Sequence, residues 1–366
     1  MCRLVQRRGI IGLFCLLFVA SSVVPGWAQK DNRFEVSKNL DIFNSLLKEV
    51  EMFYVDSVDV DKTVQRGIEA MLAGLDPYTE YYPEQKTEEL SLMTTGEYGG
   101  IGSLIRQRNN EGGVMIAEPT EGMPADLAGL KPGDLILAID TIDVSKATNS
   151  RVSELLKGVP NTKMVLTIQR PGEKKPRKFE ITRKQITTPQ VTYYGVKNDS
   201  IGYIYLKAFT IKSAQEVKEA FLDLKKNHNI KSLVLDLRGN GGGVLEGAVQ
   251  IVGMFVPKGS EVLSTKGKIK QWDRTYRTST EPLDTVMPLA ILINGGTASA
   301  AEIVSGSLQD MDRAVLVGQR SFGKGLVQAP RDLPYNGKVK ITMSKYYIPS
   351  GRCIQQIDYS HRKEDG

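Results

Sequence analysis

From Asn39 onward the apolar residues Leu40, Phe43, Leu47, Val50 and Tyr54 recur at steps of three and four, the spacing of the apolar face of a helix. A second helix is predicted from an N-cap at Asp61 through Val64, Ile68, Met71 and Leu72, ending at Gly74, with Pro77 barring continuation. Neither helix carries enough apolar surface to stand alone. They are read together as an N-terminal helical segment over residues 29–86, packed on something later in the chain.

The texture changes near Tyr98. Short β-like runs separated by glycine follow at Gly100–Arg106, Gly113–Ala117, Asp134–Asp140, Lys163–Arg170 and Arg177–Thr182, with one helix at about Asn149–Lys157. Five strands and a helix in this space predict a small, partly open barrel or sandwich over residues 87–184. Its turn at Leu130-Lys131-Pro132-Gly133-Asp134 supplies proline and glycine for a tight reversal.

Beyond about Gln190 strands and helices alternate: strand 201–209, helix 213–227, strand 232–237, helix 244–255, strand 289–294, helix 298–311, strand 314–318. This alternation predicts an α/β layer with a largely parallel sheet over residues 185–366, closed by a hairpin from Leu326–Pro330 and Lys338–Tyr347. The fold class is therefore a multidomain chain combining α+β and α/β parts. No terminal element is apparent after the hairpin.

Composition narrows the function classes. The 366 residues are 41% hydrophobic and 25% charged, values of an ordinary folded chain. The formal charge of +6 is partly carried by Arg3, Arg7 and Arg8, which precede an apolar run from Gly9 to Val24 and then Pro25-Gly26-Trp27-Ala28. That order is the build of a secretory signal over residues 1–28, cut after Ala28, and it predicts export to the periplasm or the periplasmic face of the inner membrane. Retained, the same segment would act as a membrane anchor. Without it, 45 basic residues face 42 acidic ones, a balance of +3 that gives no argument for nucleic acid. Cys2 and Cys15 leave with the signal, so only Cys353 remains and no internal disulfide forms.

The two histidines, His228 and His361, argue against both a multi-histidine metal site and a histidine-based triad. Three segments at the carboxyl ends of strands in the α/β layer carry candidate chemistry. Asp236-Leu-Arg-Gly-Asn-Gly-Gly-Gly243 is a glycine-rich loop able to aim backbone N–H groups at an anion, or a plain turn. Asn294-Gly-Gly-Thr-Ala-Ser299-Ala-Ala-Glu302 ends an apolar strand and opens a helix. A serine hydroxyl there sits at the positive end of the helix dipole, although Thr297 or Ser299 would serve equally as an N-cap. Ser321-Phe-Gly-Lys324-Gly-Leu-Val-Gln328 sets a lysine between glycines in an apolar setting, with Gln328 on the same face. Burial lowers a lysine's pKa, and lysine is the recurrent base where histidine is missing. The run Gly318 to Lys324 also fits the first part of a phosphate-binding loop, but Gly325 stands where a magnesium-holding Ser or Thr belongs and Pro330 precedes any helix.

Together these motifs resemble the carboxyl-terminal processing, or tail-specific, proteases of the serine–lysine type, from Leu75-Asp76-Pro77-Tyr78 to Pro349-Ser350-Gly351-Arg352. The resemblance implies Ser299 as nucleophile, Lys324 as general base and Gln328 as the residue orienting the lysine. It further implies an oxyanion hole from the N–H groups of Gly242 and Ala300, with no metal and no cofactor. The β-rich module corresponds to a PDZ domain, whose loop Tyr98-Gly99-Gly100-Ile101-Gly102 binds a terminal carboxylate beside a groove walled by Val152 and Leu156. The α/β layer resembles crotonase-like folds. Since family members usually continue beyond Arg352, a chain shortened at its C-terminus is expected.

The implied function is an exported serine endopeptidase that binds free C-terminal tails of proteins and cleaves them. Substrate proteins or peptides with exposed C-termini are its partners; a homo-oligomer or an activating adaptor stays open. The competing reading from another class is a non-catalytic periplasmic adaptor that binds protein tails through the PDZ module. A third, thioester handling by the crotonase-like layer, lacks an acyl-thioester pool outside the cytoplasm.

Overall fold

The computed structural model describes residues 33–108 and 112–359. The signal at residues 1–28 and His361 lie outside the described residues. Among the described residues no helix is long and apolar enough to cross a membrane.

Two compact units divide at residues 65 and 66. The first contains the helix Arg33–Phe53, whose residues are all outside any core. The helix Val60–Ala73 spans the division and begins one residue before the predicted cap. Asp59 takes that role instead, its Oδ1 accepting the Lys62 N–H at 3.1 Å, while Asp61 falls in the first turn.

In the second unit the β-rich module is a six-stranded antiparallel sheet. Its strands run Ser103–Gln107, Val114–Pro119, Leu135–Ile139, Lys163–Gln169 and Arg177–Thr182 in spatial order, with Ile142–Asp143 attached to the third. The predicted run from Gly100 to Arg106 is broken: Glu97–Gly100 pairs separately with Lys184–Thr187, because Gly102 takes φ +67°. The helix Asn149–Leu156 buries Val152 and Leu156 against Ile101, Ile116, Ile136 and Leu166. At the Pro132-Gly133 turn, Asp134 is fully buried and pairs in a bidentate manner with Arg170, both contacts 2.8 Å.

The α/β layer holds a sheet in the order Val191–Lys197, Ile201–Leu206, Ser232–Asp236, Leu289–Ile293, Val315–Gly318. The first pair is antiparallel and the next three are parallel, as strand-helix alternation requires. The helices Ser213–His228, Leu245–Gly253 and Ala300–Asp310 supply the core with Val217, Phe221, Leu224, Ile251, Val252, Ile303 and Val304. The closing hairpin, Leu326–Asp332 with Lys338–Tyr347, joins a second antiparallel sheet that also takes Glu80–Tyr82, Glu261–Gly267 and Arg274–Arg277. Those last three strands carry too little alternation to be read in advance. Past the hairpin the chain packs against the Lys324 loop, with Gln355 Oε1 accepting the Gly325 N–H at 2.7 Å and the Gln356 N–H donating to the Gly323 carbonyl at 2.9 Å.

Candidate active site

The loops after the parallel strands Ser232–Asp236 and Leu289–Ile293 meet edge to edge. Asn294 Oδ1 accepts the N–H groups of Gly239 and Gly296, at 2.9 and 3.0 Å, and the Thr297 hydroxyl donates to the Leu237 carbonyl at 2.8 Å. Asn240 is fully buried; its Nδ2 donates to the Leu206 carbonyl and its own carbonyl accepts the Ala298 N–H, each at 2.9 Å. Asp236 anchors the outer end. Burial pushes its carboxyl up, but the Arg238 guanidinium and the Tyr203 hydroxyl at 2.5 Å hold it below the usual carboxylate range.

Ser299 is the N-cap of the eleven-residue helix Ala300–Asp310 and takes φ 56°, ψ −118°, a region that costs a non-glycine residue about 1–3 kcal/mol. Such backbone strain is retained where the surroundings over-determine it. Here the main tether is Glu302, a residue only 3% exposed whose carboxylate accepts four hydrogen bonds. Oε2 takes the N–H groups of Ser299 and Lys324 at 2.8 Å each; Oε1 takes the Ser321 hydroxyl and the Gly323 N–H at 2.7 Å each. The buried Tyr346 hydroxyl adds a second tie, 2.5 Å from the Lys324 carbonyl and 3.1 Å from that of Ser299. The backbones of the nucleophile candidate and the base candidate, 25 positions apart in sequence, are thus tied to each other by the side chains of Glu302 and Tyr346.

Lys324 is half-buried and followed directly by a strand, with no helix to complete a phosphate loop. Burial, and then the charge of Lys340, push its amine below its usual pKa, against Glu80, Asp76 and Glu302, which favour the charged form. Its Nζ lies 4.2 Å from the centroid of the Tyr78 ring. No hydrogen bond joins Ser299 Oγ to Lys324 Nζ among the described residues. Gln328, on the strand Leu326–Asp332, donates from Nε2 to Thr342 Oγ1 at 3.1 Å and does not reach Lys324 in this conformation.

Gly242 presses against the serine: at φ +93°, a Cβ there would lie 2.8 Å from Ser299 Cβ and 2.9 Å from the Ala300 nitrogen. Its N–H donates to Asn240 Oδ1 at 2.9 Å, so of the two amides expected to face an oxyanion only that of Ala300, at the open N-terminus of the helix, is unengaged among the described residues.

In the β-rich module, Gly100, Ile101, Gly102 and Leu156 line a narrow cleft of about 40 Å³ together with Tyr98, Ile105 and Lys157. Val152 is fully buried behind it, in the core. Gly99 serves as a close-approach point, since a Cβ there would strike the Gly158 carbonyl at 1.9 Å. The Lys157 ammonium sits 5.4 Å above the Tyr98 ring at the cleft's rim.

Peptidase family S41 matches residues 200–360, and a PDZ domain matches residues 115–170. Over 356 residues the chain is 36% identical to a carboxy-terminal-processing protease of Bartonella bacilliformis, a match covering 96% of this chain and 81% of that one. The chain belongs to the carboxy-terminal-processing proteases. It is a serine-type peptidase of that family and carries a PDZ domain. A probable CtpA-like serine protease of Staphylococcus aureus is 33% identical over 320 residues, covering 86% of this chain and 62% of the relative. The photosystem II D1 C-terminal processing protease superposes with a TM-score of 0.49 at 29% identity, over 88% of this chain and 91% of that one.

The residues of this protease's site that sequence reasoning left without a role are Glu302, Tyr346, Asn240 and Tyr78. Glu302 carried a signal: Ser299-x-x-Glu302 has the spacing of a capping box, which returns the Glu side chain to the serine N–H. Tyr346 had none, because only strand pairing brings it under both loops.

Proposed function

We propose that this protease hydrolyses peptide bonds near the free C-termini of exported proteins by a serine–lysine mechanism. The observation that carries the reading is the fixing of Ser299, strained at a helix N-terminus, to the Lys324 loop through one buried carboxylate. Neutral Lys324 takes the Ser299 proton as Oγ attacks the carbonyl carbon, and the carbonyl electron pair moves onto oxygen. The Ala300 N–H stabilises that oxyanion. Gly242 joins it when its N–H exchanges Asn240 Oδ1 for the developing charge, which is the stronger acceptor. The lysine proton then passes to the leaving amine as the C–N bond breaks, and water releases the acyl-enzyme. Gln328 acts by orienting the lysine, which requires its amide to leave Thr342 Oγ1.

The PDZ domain holds the substrate tail, with the carboxylate on the N–H groups of the Gly100-Ile101-Gly102 turn and the tail's last side chain toward Leu156. The basic, apolar and small-residue order of residues 1–28 supports export to the periplasm. The deciding experiment is labelling with a fluorophosphonate serine probe, wild type against Ser299→Ala. Labelling confined to Ser299 supports the mechanism; a wild-type protein that binds peptide tails yet neither labels nor cleaves is the non-catalytic adaptor.

A further inference from the structure

The turn Asp76-Pro77-Tyr78-Thr79 belongs to neither catalytic loop, yet it is built more rigidly than a connector needs. Asp76 Oδ1 accepts the N–H groups of Tyr78 and Thr79, both at 2.8 Å, and its Oδ2 accepts the Thr79 hydroxyl at 2.9 Å. Asp76 and Thr79 are buried, and Thr79 Oγ1 also accepts the Thr342 N–H at 3.2 Å. The next residues, Glu80–Tyr82, pair with the strand Lys338–Tyr347, so the turn is bolted to the sheet that carries Thr342 and Tyr346. What this rigidity fixes is the Tyr78 ring: its centroid is 4.2 Å from Lys324 Nζ, and the Tyr359 ring stands against it edge-on at 6.0 Å and 86°.

We propose that Tyr78 is a positioning residue for the peptidase reaction, its ring face seating the Lys324 ammonium formed when the lysine takes the serine proton. The inference rests on the serine–lysine reading above. Before proton transfer Nζ is neutral and gains little from the ring; afterwards it is a cation over a negative π face in a site partly closed to water. The interaction therefore strengthens along the reaction coordinate, which is the condition for lowering a barrier and not merely tightening a ground state. The other charged groups facing Nζ are Lys340, Glu80, Asp76 and Glu302, one cation against three carboxylates, and none of them hydrogen-bonds it among the described residues.

The test compares Tyr78→Leu, which keeps an apolar plug but no π face, with Tyr78→Phe, which keeps the face but loses the hydroxyl. Full-chain protein is assayed from pH 5 to 10 on a fluorogenic peptide ending in an apolar residue with a free carboxylate, and folding is checked by thermal melting. The expected result for Tyr78→Leu is a plateau kcat lower by about 3- to 10-fold with KM little changed. Its acidic limb moves to lower pH, because the ammonium has lost a stabilising partner, so the deficit narrows as pH falls. Tyr78→Phe tracks wild type. Should Tyr78→Leu fail to fold, Tyr78→Met is read in the same way.

Three results overturn the assignment: wild-type kinetics in the ring-free variant, equal losses in both variants, or an acidic limb displaced to higher pH. The second would assign the effect to the hydroxyl and the third to water exclusion alone. Lys324→Ala run alongside separates this idea from its premise. Turnover surviving in Lys324→Ala removes the serine–lysine reading itself, whereas a dead Lys324→Ala beside an unaffected Tyr78→Leu removes only the role of Tyr78.

Discussion

Ser299 and Lys324 donate their backbone N–H groups to the same oxygen of Glu302, each at 2.8 Å. One buried carboxylate thus sets the spacing of the proposed nucleophile and the proposed base. In Glu302→Gln an amide NH2 must face part of this set of donors, leaving at least one buried N–H or O–H unpaired. The expected loss is about 1–3 kcal/mol of stability by denaturant titration, with kcat reduced far more than KM is raised.

Replacing either side chain of the pair is expected to abolish turnover without unfolding the chain. Ser299→Ala and Lys324→Ala should show no peptide cleavage and melting curves close to wild type. Lys324→Met is expected to melt higher at neutral pH: the folded amine has a lower pKa than in the unfolded chain, so the unfolded state takes up the proton more readily and this site's contribution falls with falling pH.

The pH dependence of the reaction has a fixed sign. As the proposed base, Lys324 accepts the serine proton only as the neutral amine, and burial followed by Lys340 holds its pKa below the ordinary lysine value of 10.5. Activity should rise with pH through that lowered pKa and be lost on acidification. A kcat/KM profile whose ascending limb lies at 10.5 or above would sink the assignment of Lys324 as base.

Gly242→Ala tests the contact between the glycine loop and the serine. The added methyl would meet the Ala298 carbonyl at 2.7 Å and Ser299 Cβ at 2.8 Å, in a backbone conformation with φ +93°. Strain of about 1–2 kcal/mol and slower fluorophosphonate labelling of Ser299 are expected; labelling at the wild-type rate would show that the loop is not in register with the serine.

For the PDZ domain, amidating the C-terminus of a peptide substrate is expected to raise KM at least about tenfold with kcat retained, since a charged acceptor is replaced by a neutral group. Arg170→Ala acts on the same domain through stability. It strips fully buried Asp134 of its bidentate partner, at a cost of about 3–5 kcal/mol, measured as loss of tail binding and a lower melting transition.

Much of the fold was legible because its signals are local. The strand Arg177–Thr182 and the second strand of the closing hairpin, Lys338–Tyr347, have the bounds that alternation predicts, and the helices of the α/β layer differ from expectation only at their ends. The split at Ile101-Gly102 escaped, because a positive φ at one glycine leaves no trace in hydrophobic pattern. Strands Glu80–Tyr82, Glu261–Gly267 and Arg274–Arg277 escaped for a related reason: they are defined by the partners they find.

The sequence by itself determined which residues are candidates for the chemistry. Two histidines in 366 residues, a serine opening a helix and a lysine between glycines are properties of single positions and short spacings. Tertiary structure alone decided how these groups are held. Glu302 bridges two loops, Tyr346 lies beneath both, Asn240 occupies the Gly242 N–H, and Tyr78 reaches Lys324 from 246 positions away. Such contacts depend on strand order and register, which set which distant backbone groups share a few ångströms of space, and no local pattern encodes that distance.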